Sequence, residues 1–411
     1  MKQVFFGLFM FFFGLNVFAQ TANDSTQTVK FDWSKFTLKG AGVVNYYAYD
    51  WDIDSTRRNA FDAERFNVYL GYHFTERIIL KTEIEIEHGG TGVTKEFDRF
   101  EEFGEFETEV EAGGEVKLEQ MNILFKIKPW FNIRAGRLKV YMGLASKLDE
   151  PVDYFTTHLS EMENALLPLG WYENGIEFSG NLGKNENWKY KLYIVNGLDG
   201  TGFSSRNWIK RGHQGRFETV FSDALAFSGR LDYHFGKNNF IGFSSYLGNS
   251  TPNRPKKDLI ANAFVHISDF HFKYHKNGYK LRGMLLYGTL SNSEKVSKAN
   301  RNISNKLNVK RTPVGSAALG WYIEGAFNIL SFTDKNSVVD VFARYDYYDS
   351  MYKVEGDIFD YSRWERKVIT SGLNYFPHKQ IAIKAQYSVR KLGLTENNFE
   401  RTFSLGLGFQ F

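Results

Sequence analysis

The chain has no cysteine among its 411 residues. That absence excludes disulfides, thiolate metal sites, cysteine nucleophiles and lipidation at an N-terminal cysteine. Proline is scarce, at seven, and helical periodicity is found nowhere along the chain. After Leu15 no apolar run approaches the roughly 20 residues that a spanning helix needs. Mean hydropathy is −0.39, too polar for a helical membrane protein. The net charge of +4 is small for this length and argues against a nucleic-acid partner. His and Ser form no nucleophile–base pattern along the sequence, so no enzyme is expected.

What is abundant is aromatic and small: 39 Phe, 23 Tyr and 37 Gly, a mixture that favours strands and tight turns. The opening "MKQVFFGLFMFFFGLNVFAQ" has a positive start, a short apolar core and small residues before a cleavage point. It predicts a secretory signal over 1–19, then a periplasmic lead over 20–35 and a single domain over 36–411.

From Phe36 onward sixteen alternating segments can be laid down. They fall at 36–49, 63–74, 78–88, 116–128, 131–138, 171–183, 187–198 and 218–235. The second half follows at 240–249, 260–275, 279–290, 316–330, 337–349, 366–376, 380–390 and 400–411. Connections alternate between short turns, such as "KNEN" at Lys184 and "KNG" at Lys276, and long polar loops. Short turns on one side and long loops on the other are the layout of a transmembrane antiparallel β-barrel. An even strand number puts both ends of the barrel domain on the short-turn, periplasmic side.

The apolar rows agree. Phe66, Val68, Leu70, Tyr72 and Phe74 share one face, as do Ile381, Ile383, Ala385, Tyr387 and Val389. None is charged, as a lipid face requires, because Arg or Lys at the bilayer midplane costs roughly 2–4 kcal/mol. The segment at 260–275 breaks the alternation: Ala263, Val265 and Ile267 are odd, Phe270, Phe272 and Tyr274 even. A β-bulge near Ser268 would restore the facing; a misplaced strand is the other explanation. The row Phe403, Leu405, Leu407, Phe409, Phe411 resembles the C-terminal signal of outer-membrane barrels, so Phe409 and Phe411 are expected to be read by the insertion machinery.

The opposite rows carry thirteen bases and nine acids. Too many for a dry core, they must line water or pair across the barrel. Arg65, Lys81, Arg134, Arg230, Arg344 and Lys384 are the candidate pore-lining, anion-binding cations. The longest connection, 139–170, holds apolar residues that need cover, so it is expected to fold inward and narrow the pore. Its charged residues include Lys147, Asp149, Glu150, Asp153, Glu161 and Glu163. "DWDID" spaces Asp50, Asp52 and Asp54 like a calcium loop, but lacks the turn glycine and terminal glutamate, so no metal is expected. No cofactor is expected either.

On "LPLGWYENGIEFSG" from Leu167, "YIVNGLDGTGFSSRNWIKRGHQGRFE" from Tyr193, "NIRAGRLK" from Asn132 and the terminal strand, the chain resembles the phosphate-selective porin O and P family. That resemblance implies a sixteen-stranded barrel in the outer membrane of a Gram-negative cell, a homotrimer, an inward third loop and passive uptake of small anions. Phosphate-tight members owe affinity to an arginine zone and a lysine ladder. Here Lys256 and Lys257 could supply rungs, but nine wall acids depart from that pattern. The expectation is a porin for small hydrophilic solutes with a modest anion preference. A non-conducting structural or adhesin barrel and a barrel enzyme are the alternatives.

Overall fold

A computed structural model describes residues 32–90, 114–168, 170–214, 220–236, 238–303, 311–333, 337–393 and 398–411, and the backbone at 94–98 and 107–111. The expected signal over 1–19 lies outside the described residues. Next to them, Trp33–Lys35 makes one 3-10 turn.

Eighteen strands are described: β1 Phe36–Trp51, β2 Ala60–His73, β3 Ile78–Glu87, β4 Thr94–Asp98, β5 Glu107–Glu111 and β6 Val116–Lys128. Next come β7 Phe131–Lys139, β8 Tyr172–Leu182, β9 Trp188–Asn196, β10 Leu225–Phe235, β11 Asn239–Asn249 and β12 Phe264–Lys276. The last six are β13 Tyr279–Leu290, β14 Ala317–Asn328, β15 Val338–Lys353, β16 Glu365–His378, β17 Ile381–Leu392 and β18 Phe399–Gln410. Sixteen of them form one closed antiparallel barrel, and β4 and β5 pair only with each other as a hairpin between β3 and β6. Closure leaves no sheet edge for lipid to meet, which is why only closed sheets survive in a bilayer.

The seam is made by β1 and β18, from Ala41 opposite Gln410 to Trp51 opposite Glu400. The Phe411 N–H donates to the Gly40 carbonyl (2.8 Å), and the Phe411 carbonyl oxygen accepts from Gly40 N–H (3.0 Å). Glycine makes room there: a Cβ on Gly40 would stand 2.4 Å from the tip of the Phe411 ring, and one on Gly42 2.7 Å from that of Phe409. Two aromatic rings thus lie over two glycines and seal the outside of the seam, a known way of rescuing glycine in a strand.

Outward rows are apolar and exposed, with Phe227, Phe243, Leu285, Ile369 and Leu405 as examples. Aromatic contacts gather toward strand ends. Tyr279–Phe327 and Trp188–Tyr233 lie toward the short-turn side, and Tyr46–Phe61 and Tyr287–Tyr352 toward the long-loop side. Two such girdles mark the two faces of a membrane.

Two expectations need correction. The β11–β12–β13 ladders run without a register shift, so there is no bulge near Ser268. Even positions face out along the whole of β12, and Val265 and Ile267 point inward into an apolar core. They are at home there because loop residues cover that wall. The strand expected at 218–235 begins at Leu225; just before it, Asn253 and Gln214 side chains bond Ala224 N–H and Phe221 in place of a ladder.

Candidate functional site: the loop between β7 and β8 and the wall opposite it

The segment 140–171 crosses the inside of the barrel. Its apolar residues Val140, Met142, Leu144, Met162, Leu166 and Leu167 are buried in one cluster with Tyr193, Ile267, Leu286 and Tyr322 from the wall. The interior is therefore not uniformly polar: where the loop meets β9 to β16 it is an apolar core. One helical turn, α1 Glu161–Leu166, begins at Ser160, whose hydroxyl accepts from Glu163 N–H and donates to Asp346 (2.8 Å). The wall beneath α1 is Gly320, where a Cβ would lie 2.5 Å from Met162 Cγ. Pro151 and Thr157 pack in the same way against Gly408 and Gly406 on the far wall.

Wall cations clamp the loop backbone. Arg230 donates to the Gly143 carbonyl (2.5 Å), and Arg282 to that of Asp153 (2.6 Å), its guanidinium stacked on Phe155. Lys384 donates to the carbonyls of Tyr154 (2.6 Å) and Thr156 (2.8 Å), Arg344 to the Thr156 hydroxyl (2.9 Å), and Arg65 to the Asp149 carbonyl. Gly143 has φ +71 and forms the elbow; its N–H reaches Asp269 on β12 (3.1 Å). His271 lies fully buried between Asp269 (2.6 Å) and Asp232 (2.9 Å), and Lys147 pairs with Asp232 (2.8 Å). Asp149 pairs with Lys139, and Glu161 with Arg390 (2.8 Å).

These contacts tune the loop's ionisation. Burial alone would raise Glu161, but Arg390 and the Tyr348 hydroxyl more than offset it, lowering its pKa to about 2. Glu163, two residues on, makes no salt bridge among the described residues: burial raises it to about 7 against the opposing bonds from Ala145 N–H and the Tyr322 hydroxyl. Burial pushes Lys147 down to about 8 and His158 down to about 4.

Of the six cations singled out from sequence, Arg230, Arg344 and Lys384 are buried under the loop, and Arg65 is bonded to it. Lys81 and Arg134 stand elsewhere, on the wall made by β3 and β6 to β9. Glu177 there pairs with Lys191 (3.1 Å) and Arg134 (3.8 Å). Lys39, Lys81, Lys126 and Lys189 are exposed and outside those pairs. A cavity of about 440 Å³ opens on this side, lined among others by Arg77, Lys126, Arg134, Asn181 and Lys191. On the loop, Asp153 is exposed and Glu150 half-buried.

Sequence reasoning missed Asp269, His271 and Lys273, because the inward Val265 and Ile267 hid the facing of β12. It also missed a second inward segment. Phe203, Trp208 and Ile209 are buried; Trp208 lies on Gly288, where a Cβ would stand 2.0 Å away, and its indole N–H donates to the Gly315 carbonyl (3.2 Å). Aromatic-rich loops carry no periodicity, so nothing marked it. Among the described residues no cluster of His, Asp or Glu is arranged for a metal; Asp52 is held by Arg401 (3.1 Å) and Asp54 caps Thr56.

No family model matches the chain. An uncharacterized protein of Aquifex aeolicus is 29% identical over 354 residues, covering 85% of this chain and 74% of that one. Among solved structures, the outer membrane channel DcaP of Acinetobacter baumannii superposes with a TM-score of 0.54 at 10% identity, over 92% of this chain and 97% of that one. An anion-selective porin from Comamonas acidovorans gives 0.53 at 11% identity, over 92% and 99%. OmpF of Salmonella typhi, solved with daunomycin, gives 0.53 at 11% identity, over 92% and 97%. The chain shares with these proteins the fold of a closed antiparallel β-barrel, here of sixteen strands.

Proposed function

We propose that the protein is an outer-membrane porin through which small hydrophilic solutes diffuse passively, with a modest preference for anions. The observation that carries this is a division of labour among the inward cations. Arg65, Arg230, Arg282, Arg344, Lys384 and Arg390 are spent on the loop. Lys39, Lys81, Lys126 and Lys189 remain exposed along the wall beside the cavity. Fixed charges more than about 8 Å apart barely sense each other at physiological salt, so the local excess of lysines decides the sign. The mixed wall, with Glu177 between Arg134 and Lys191, argues against a phosphate-only pore. In this reading the chain is exported by its signal, inserted through the row ending in Phe411, assembled as a homotrimer as its family resemblance implies, and performs no catalysis.

Planar-bilayer recording of the purified protein tests it. The zero-current potential in a KCl gradient should report anion preference, and Lys81→Gln with Lys126→Gln should move it toward cations. A strongly cation-selective parent would overturn the charge argument, and block by micromolar phosphate would show a phosphate-specific site instead. A second reading, a barrel that conducts nothing, is favoured by the apolar packing of both inward segments; silent bilayers with well-folded protein would establish it.

A further inference from the structure

The inner face of β1 is aromatic on the long-loop side. Phe36 stands opposite Tyr72, beside the short β2–β3 turn, so β1 climbs from there toward the longer connection 52–59 and ends at Trp51. Alternation puts Asn45, Tyr47, Tyr49 and Trp51 on one face, and two contacts show that this face is the inner one. Asn45 donates to the Thr157 carbonyl of the inward loop (3.3 Å). Arg390, which bonds Glu161 of that loop (2.8 Å), lies 5.0 Å from the centre of the Trp51 ring. Tyr47 and Tyr49 are nearly parallel at 5.9 Å, and Tyr49 meets Trp51 edge to face at 5.3 Å. From Tyr47 to Trp51 the strand rises about 13 Å, longer than one pyranose ring.

All three rings are half-buried, and what lies on them is exposed. The Arg57 guanidinium, from the connection 52–59, stands 4.1 Å from the centre of the Trp51 ring and 4.6 Å from that of Tyr49. Their faces thus admit a flat group of that size. Arg57 pairs with no carboxylate among the described residues, and a cation on an exposed ring is held weakly. The polar groups beside the rings are of both signs. Glu64 accepts from Asn45 and from the Tyr47 hydroxyl (3.3 Å), the Trp51 indole donates to the Thr402 hydroxyl (3.0 Å), and Glu400 pairs with Arg390. Glu64 and Glu400 against Arg57 and Arg390 leave no net charge, so the column is not built for an ion. The negative face of an aromatic ring attracts the C–H hydrogens of a sugar ring, and a mixture of donors and acceptors suits its hydroxyls.

We propose that Tyr47, Tyr49 and Trp51 form a ledge that binds a neutral, gluco-configured oligosaccharide on the long-loop side of the pore, with Arg57 resting on the ledge until the sugar displaces it. The sugar rings stack on Tyr49 and Trp51, and their hydroxyls reach Glu64 and Thr402. As a statement of what permeates, this rests on the porin reading; as a binding site it does not.

Isothermal titration of the purified full-length barrel in detergent tests it, with maltohexaose as probe and glucose, at the same concentration of rings, as its monomer. Maltohexaose should bind and glucose should not. Tyr49→Ala with Trp51→Ala should weaken binding about tenfold or more. Arg57→Ala, a change in an exposed connection, should tighten it about two- to fivefold by clearing the rings, whereas a site for anions would lose affinity. In planar bilayers, maltohexaose added on the long-loop side should block the parent current and spare the Tyr49→Ala, Trp51→Ala variant. Silent bilayers with binding intact would refute the porin reading and leave the ledge standing. No binding by the folded barrel, equal binding of maltohexaose and glucose, unaltered affinity in the double variant, or weaker binding by Arg57→Ala would each overturn the ledge.

Discussion

With His158 replaced, docking of the inward loop should pass through a maximum with pH, because two carboxylates in one helical turn are shifted in opposite directions. Glu163 is raised from 4.5 to about 7. Its proton is held more tightly when the loop is docked, so docking weakens as pH rises through 4.5 to 7. Glu161 is lowered from 4.5 to about 2; its contribution is present above 4.5 and lost as pH falls toward 2. Each shift of roughly 2.5 units corresponds to about 3 kcal/mol, or about 300-fold in the docking equilibrium. His158, lowered by burial from 6.5 to about 4, acts in the opposite sense to Glu163 between those values; in a His158→Gln background, which removes it, the loop should be most firmly docked near pH 4.5 and open more readily on either side. The natural absence of cysteine makes the assay direct. A cysteine replacing the buried Ala145, whose N–H bonds Glu163 (2.9 Å), reacts with a pyridyl disulfide only when the elbow lifts. Dividing its rate by that of a cysteine at the exposed Asn164 removes the intrinsic pH dependence of the thiol. In the His158→Gln background the ratio should rise by about two orders of magnitude from pH 4.5 to 8, and adding Glu163→Gln should flatten that rise while leaving the acid arm intact. A His158→Gln profile that is flat above pH 4.5, or a His158→Gln, Glu163→Gln double variant that keeps the rise, would refute the reasoning.

Gly40→Leu should block closure of the barrel, since the new side chain meets the Phe411 ring; unchanged heat-modifiable migration on gels would count against the seam described. Trp208→Ala removes a buried indole and should destabilise the second inward segment by about 3–5 kcal/mol, read as protease cleavage within 198–214 that the parent resists. Gly320→Val should displace α1 through Met162 and raise single-channel conductance severalfold with the barrel intact. Equal conductance in the folded variant would mean that the loop does not restrict flow.

Most of the barrel was legible in the sequence. Period-two alternation assigns each residue to a face, and uncharged rows such as Ile381 to Val389 could face only lipid. Alternating turn and loop lengths set the topology, and Phe409 and Phe411 marked the strand that closes against Gly42 and Gly40. Alternation says which face a side chain takes, but not what covers that face. Arg230, Arg344 and Lys384 have the same sequence signature as Lys81 and Lys126. They differ only because a loop from a distant part of the chain lies on the first three and leaves the others to water. The same covering turned Val265 and Ile267 inward, hid the facing of β12, and buried His271 between two carboxylates. Strand pattern is local and can be read locally; which cations remain free is a property of long-range packing, and only the tertiary structure decided it.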